Sequence, residues 1–131
     1  MTVGRRTQDS RELALAAEAG SVRLARRAAS AFAAERGLDA EAVALAVSEA
    51  VTNAVVHAYR DEKSPGEILL GLQPNGNGIL VTVADSGAGI RPNPGSPGLG
   101  FGLALVASLA DELAITESGD GGTALKMRFK H

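Results

Sequence analysis

Hydrophobic positions along this chain fall into two periods, and the switches between them mark the elements. In ELALAAE (12–18), Leu13 and Leu15 alternate with smaller residues, which predicts a weak strand. Gly20-Ser21 punctuates, and Ser21 is the expected N-cap of a helix. In VRLARRAASAFAAERG the residues Val22, Ala25, Ala29, Phe32 and Ala33 share one helical face, while Arg23, Arg26 and Arg27 lie largely off it. Gly37 is the expected stop. Asp39 then caps a second helix, AEAVALAVSEAVTNAVVHAYR, whose stripe is Val43, Ala46, Val47, Ala50, Ala54 and Val55. A loop covers 61–66. EILLGLQ and GILVTVAD read as strands, with NGNG between them as a hairpin signal. A helix resumes at Leu103 (LALVASLADEL), and AITESG and TALKMRFK close the chain as two strands joined at 119–122. This order predicts an α+β fold, one mostly antiparallel sheet with helices on one face. Residues 1–10 read as a mobile polar tail and 11–131 as one domain.

Composition narrows the chemistry. The chain has 131 residues, which fits one domain with one core. The absence of Cys removes disulfides, thiolate metal sites and Cys nucleophiles, and fits a reducing compartment, the cytoplasm. Thirteen basic against fifteen acidic residues argue against direct nucleic-acid binding and against a membrane-surface role. No apolar run is long enough to span a bilayer, and the start MTVGRRTQDSRE has no signal-peptide core. Glycine is in excess: six of the sixteen fall in SGAGIRPNPGSPGLGFG (86–102), together with three prolines. That stretch suits neither a helix nor a strand.

Three clusters could carry chemistry. Glu49, Asn53 and His57 recur every four residues, on one side of the second helix beside its apolar stripe. A carboxylate there can act as a base and an amide oxygen can ligate Mg²⁺; a solvated helix face would carry the same residues. His57 alone reads as a packing or capping residue. Asp85 ends a strand and is followed by Ser86-Gly87-Ala88-Gly89. Such an acid can accept a hydrogen bond from an exocyclic amine, while Gly89 lets a flat ring approach the backbone; Asp-Ser-Gly is also ordinary turn chemistry. Gly98-Leu99-Gly100-Phe101-Gly102 leads into a helix, where unobstructed amides suit phosphate; a flexible loop is the plain alternative. The Gly-Lys-Ser/Thr ending of a P-loop is missing, and Leu103 stands where a dinucleotide fingerprint has its third glycine.

Taken in order, these clusters resemble the N, G1 and G2 boxes of the histidine-kinase-like ATPase superfamily (the Bergerat ATP-binding fold). Within it, VSEAVTNAVVHAYR, DSGAGI, GLGFGLALVASLAD and the Gly122-Thr123 pair are similar to the small anti-sigma factor serine kinases of bacteria. The resemblance covers roughly residues 11–130. It implies a two-layer α/β sandwich, a mostly antiparallel mixed sheet with about three helices on one face. It also implies ATP and Mg²⁺ as cofactors. Glu49 matches the glutamate that orients or deprotonates the attacking hydroxyl, and Asn53 the Mg²⁺ ligand. Asp85 matches the acid that reads the adenine amino group, with Gly87 and Gly89 beside it. Residues from about Arg91 to Gly102 match the phosphate lid, in which Gly98, Gly100 and Gly102 bring backbone close and Phe101 is the aromatic. Thr123 matches the threonine on the closing strand. With so few aromatics, adenine is expected to rest on aliphatic walls rather than on stacked rings.

The implied activity is ATP-dependent phosphorylation of a serine on an anti-anti-sigma (STAS-type) protein, with sequestration of a sigma factor and a homodimeric state. The alternative is an ATP-responsive binding module that captures its partner without phosphoryl transfer. Ser96-Pro97 favours that alternative, since members often place a basic residue before the lid glycines. The lid is also short and stiffened by Pro92, Pro94 and Pro97, which bears on its closure and on rate more than on nucleotide binding. A sensor histidine kinase is disfavoured, because His57 and His131 are the only histidines and neither sits on a phosphoacceptor hairpin.

Overall fold

A computed structural model describes residues 9–58, 66–85, 97–117 and 122–131, with backbone alone at 57–58, 97–102 and 117. The chain forms β1 (Arg11–Ala16), α1 (Gly20–Glu35), α2 (Ala40–Asn53), a π-helical turn (Ala54–Ala58), β2 (Glu67–Asn75), β3 (Gly78–Asp85), α3 (Pro97–Leu109), β4 (Glu112–Glu117) and β5 (Thr123–Phe129). The five strands form one sheet in the order β1-β2-β3-β5-β4. Every neighbouring pair is antiparallel, so among the described strands the sheet is antiparallel throughout rather than mixed.

Alternation explains why this sheet takes helices on one side. Ile68, Leu70 and Leu72 of β2, Ile79, Val81 and Val83 of β3, and Leu125, Met127 and Phe129 of β5 are buried. Register stacks them into transverse rows such as Leu70–Val83–Leu125 and Leu72–Val81–Met127. The helices supply the other half of the core through Ala25, Ala29, Phe32 and Ala33 of α1, Val43, Ala46, Val47, Ala50 and Val51 of α2, and Val106 of α3. Small alanines on α1 and α2 let the two helices pack closely. Phe32 is fully buried beneath two guanidinium groups, Arg36 at 3.7 Å and Arg11 at 5.2 Å from the ring centre. Arg11 also pairs with Glu35 at 2.6 Å, which ties β1 to the end of α1.

Several boundaries follow from identifiable contacts. Asp39 caps α2 as expected, its carboxylate accepting from the Ala42 N–H at 3.1 Å. Gly37 ends α1 at a φ of +74°. Ser21, expected as a cap, is instead inside the helix and buried. The Ser21 N–H donates to the Glu18 carbonyl and the Val22 N–H to the Ala19 carbonyl, so the chain is already wound before Ser21. The hairpin turn takes Gly76 at φ +61°, between Asn75 and Gly78, which are directly paired. The long second helix stops being α-helical at Asn53, and β-branched Val55-Val56 sit in the wider π turn. The third helix starts at Pro97 rather than Leu103, because proline's fixed φ and missing N–H suit a first helical position. It ends at Leu109, where the Asp111 N–H donates to the Arg128 carbonyl at 2.8 Å and pulls the chain into β4.

Gly78 sits where β3 meets β5. A Cβ there would lie 2.0 Å from the Phe129 carbonyl oxygen and 2.9 Å from the Lys130 Cα, both backbone atoms. Gly20, by contrast, has open space where a methyl group would stand. Gly78→Ala is expected to lower stability by about 2 kcal/mol or more, and Gly20→Ala to change it by less than about 1 kcal/mol. Urea denaturation of both variants checks this, and equal stabilities would contradict the close approach.

Candidate functional site

The inner face of the sheet is apolar until its last row. There, at the C-terminal end of β3 and the start of β5, Asp85 and Thr123 are directly paired, with Ile68 of β2 and Leu15 of β1 continuing the row. All four lie in the covered layer, Asp85 at 8% and Thr123 at 2% exposure. Period-two alternation forces this placement. Val81, Val83 and Asp85 point one way on β3, and Thr123, Leu125 and Met127 point the same way on β5. A carboxylate and a hydroxyl are thus set side by side where the pattern otherwise asks for aliphatic residues. Thr123 Oγ1 is buried with no hydrogen-bond partner among the described residues.

The helical layer contributes a third buried polar group. Asn53, the last residue of α2, is 6% exposed, and its Nδ2 also has no partner among the described residues. Both α2 and the π turn after it pack on β3. From the end of that turn the chain re-enters the sheet at Gly66 and Glu67, where the next residue, Ile68, is the register partner of Asp85. Glu49 lies one α-turn before Asn53 and is half-buried. The regular helix that would align His57 with this pair ends at Asn53; the His57 side chain lies outside the described residues.

Gly87 and Gly89 lie outside the described residues, as does the lid segment up to Ser96. Gly98, Gly100 and Gly102 fall within the first turns of α3 rather than in a loop before it, and only the backbone of Phe101 is described. The first turn of a helix carries amides with no intrahelical acceptor, so this placement keeps the capacity to meet an anion. Phe32 and Phe129 are committed to the core. Ile68 and Leu15 next to Asp85 are the kind of aliphatic wall expected for a flat ring.

Buried polar atoms without partners are costly, about 1–3 kcal/mol each, so native proteins keep few of them. Two at one candidate site point to a polar ligand that completes them. An adenine nucleotide fits: it offers an exocyclic amine, ring nitrogens and phosphates. Mg²⁺ fits one ligand, the Asn53 amide oxygen. Among the described residues no group of three or more His, Asp or Glu could hold a metal, so phosphate and water would have to fill the other positions. Sequence motifs single out Asp85 and Thr123 separately; that they face each other is a property of register, which only strand pairing reveals. Among the described residues no helix is long and apolar enough to cross a membrane.

Comparison with known proteins adds to this geometry. The family described as histidine kinase-like ATPase domain matches residues 15–129. Serine-protein kinase RsbW of Staphylococcus epidermidis is 34% identical over 132 aligned residues, covering 86% of this chain and 83% of that protein. Anti-sigma F factor of Bacillus subtilis is 27% identical over 92 residues, 62% of either chain. Blue-light-activated histidine kinase 2 of Erythrobacter litoralis is 38% identical over 84 residues, 60% of this chain, of whose length the match spans only 24%. A solved structure of the RsbU and RsbW domains of a Mycobacterium tuberculosis protein superposes with a TM-score of 0.70 at 27% identity, covering 92% of this chain and 31% of that one.

Thr123→Val keeps shape and removes the buried hydroxyl. The ligand-free variant is expected to be as stable as the parent or up to about 1 kcal/mol more stable. Thermal and urea unfolding read this; a loss of more than about 1 kcal/mol would mean the hydroxyl already has a structural partner.

Proposed function

The chain belongs to the histidine kinase-like ATPase domain family, among the anti-sigma factor serine-protein kinases, and on that premise we propose that it is an ATP-dependent protein-serine kinase. On this reading it phosphorylates an anti-anti-sigma protein of STAS type and sequesters a sigma factor. The observation that carries the reading is the Asp85–Thr123 pair, two polar groups buried side by side in an apolar layer.

Each residue then has a task set by its chemistry. The Asp85 carboxylate accepts a hydrogen bond from the adenine amino group, a feature that guanine lacks at that position. Thr123 adds its hydroxyl to the same end of the ring, and Ile68 flanks it. Asn53 offers its amide oxygen to Mg²⁺. ATP supplies the phosphoryl group, and Mg²⁺ neutralises charge on its phosphates. The amides opening α3, cleared of side chains at Gly98, Gly100 and Gly102, receive phosphate oxygens. Glu49 holds the partner's serine hydroxyl as an acceptor and takes its proton. It is half-buried, so it can meet a protein substrate from outside while staying fixed on α2.

A second reading keeps the nucleotide site and drops the transfer, leaving an ATP-responsive module that captures a partner. Ser96-Pro97 in place of a basic residue favours it, because a cation there would offset charge on the transferring group.

Asp85→Asn is expected to weaken ATP binding by about 1.5–3 kcal/mol, the worth of a hydrogen bond to a charged group. Glu49→Gln should leave calorimetric ATP affinity unchanged and abolish transfer of labelled phosphate to a cognate STAS-type partner. Unchanged affinity in the Asp85 variant would remove that residue from the adenine site. ATP bound by the parent chain with no phosphoserine formed would select the second reading.

A further inference from the structure

Among the described residues the large apolar side chains left exposed are Leu24, Leu45, Val56 and Leu69. Scattered singly, such residues are ordinary. Leu45 and Val56 are not scattered, because helical geometry sets them on one line. Along α2 and the turn that continues it, Leu45, Glu49, Thr52 and Val56 are spaced by four, three and four residues. That spacing keeps side chains on one side of a helix. Burial agrees: Leu45 is 44% and Val56 49% exposed, Thr52 is exposed, and Glu49 is half-buried. The π turn does not break the line, since Val56 stays outward while Ala54 is fully buried.

Position around the helix gives this line its meaning. At about 100° per residue, Leu45, Thr52 and Val56 form a crest, Glu49 stands about 40° to one side of it, and Asn53 about 40° beyond Glu49. Asn53 is buried and Thr52 exposed, as these angles require. Glu49 therefore stands between the open crest and the buried polar group. A hydroxyl that reaches its carboxylate, while phosphate lies on the Asn53 side, comes from over the crest. From Leu45 to Val56 the crest runs about 16 Å, with Glu49 between its two apolar ends. Glu41 extends it by one turn, and no basic residue occurs between Ala40 and Val56.

We infer that Leu45 and Val56 are docking contacts for the protein substrate, and that they select an acceptor serine set among apolar rather than acidic side chains. On the kinase reading, which this assignment presupposes, Glu49 decides the occupant: the molecule over the crest is the one whose hydroxyl Glu49 holds. Charge narrows its chemistry. The crest carries Glu41 and Glu49 and no base, so acids beside the serine would be repelled. In the transfer, the serine Oγ bonds to the γ-phosphorus as the bond from that phosphorus to the β–γ bridging oxygen breaks. The hydroxyl proton passes to Glu49, and ADP leaves with the electron pair. Water at the same place would take the phosphoryl group instead. Apolar side chains closing on Leu45 and Val56, at either end of Glu49, exclude it.

Each contact is modest. About half of either side chain is already covered by the fold, so docking buries only the remainder. Covering part of that remainder is worth about fivefold in affinity for Leu45 and about threefold for the smaller Val56. The two stand about 16 Å apart, too far to share a partner side chain, so their effects should multiply. Both lie on the crest rather than with Asn53, Asp85 and Thr123, so nucleotide affinity should not follow them.

Steady-state transfer of labelled phosphate to a cognate STAS-type protein tests this, with the Kd for that protein measured in parallel in the presence of a non-hydrolysable ATP analogue. Leu45→Gln is expected to raise KM and Kd about fivefold, Val56→Thr about threefold and the double variant about fifteenfold. The kcat should stay within about twofold and calorimetric ATP affinity should not change. Leu69→Gln, at a similarly exposed leucine on β2, is the control and should alter nothing; circular-dichroism melts show that each variant is folded. Unchanged KM and Kd in the double variant overturn the assignment, as does a loss confined to kcat or one shared by Leu69→Gln. So does a double variant that binds the STAS-type protein as before but loses its hold on a sigma factor, which would give the crest to that partner. A parent that binds the STAS-type protein and forms no phosphoserine ends the kinase reading alone, and the Kd values then judge the docking contacts. A parent that binds no such protein ends both.

Discussion

A carboxylate and a hydroxyl facing each other across β3 and β5, inside a layer that is otherwise aliphatic, form the feature on which the rest of this structure turns. The inner face of a covered sheet pays for every polar group placed on it. Here the rows built on Leu70, Val83 and Leu125 and on Leu72, Val81 and Met127 obey that rule. The row at the end breaks it. Asn53 breaks it again from the helical side, with a buried amide nitrogen that finds no partner among the described residues. Departures from the core pattern concentrated in this way are what a ligand site looks like before its ligand arrives.

Those departures depend on the fold around them. The antiparallel β3–β5 pairing sets Asp85 against Thr123, and a slip of one residue would turn both outward. Gly78 secures the other end of that register, since only a residue without Cβ lets β3 lie against Phe129 and Lys130. On the helical side, Asp39 starts α2 at a defined residue, and the π turn ends its regular geometry directly after Asn53. Each device fixes where a polar residue stands, and none of them touches the candidate ligand.

Much of this was legible in the chain. Alternation in GILVTVAD and TALKMRFK marks the strands and their inward residues, and the stripe from Val43 to Ala54 marks α2, because burial demands those periods. Glu49, Asn53 and Asp85 stand out by chemistry, and Thr123 only through the family resemblance. Three things were not legible. Ser21 looks like a cap, but a turn at 18–22 winds the chain into the helix early and carries it inward. The glycines at 98, 100 and 102 look too flexible for a helix, yet Pro97 starts one ahead of them. Asp111 looks helical, but its N–H bonds to β5, and capture of that kind depends on residues far along the chain. Local propensity carries no information about such contacts.

The central claim is that Asn53, Asp85 and Thr123 form the adenine-nucleotide site. Titrating isotope-labelled protein with ATP and Mg²⁺ and following side-chain and backbone amide resonances by NMR tests it most directly. The account predicts that the Asn53 side-chain amide and the backbone amides of Asp85 and Thr123 are among the most strongly shifted, with GTP producing much smaller changes. Shifts centred instead on the exposed cleft of Ala19, Arg23 and Arg26, with those three residues unmoved, would contradict it.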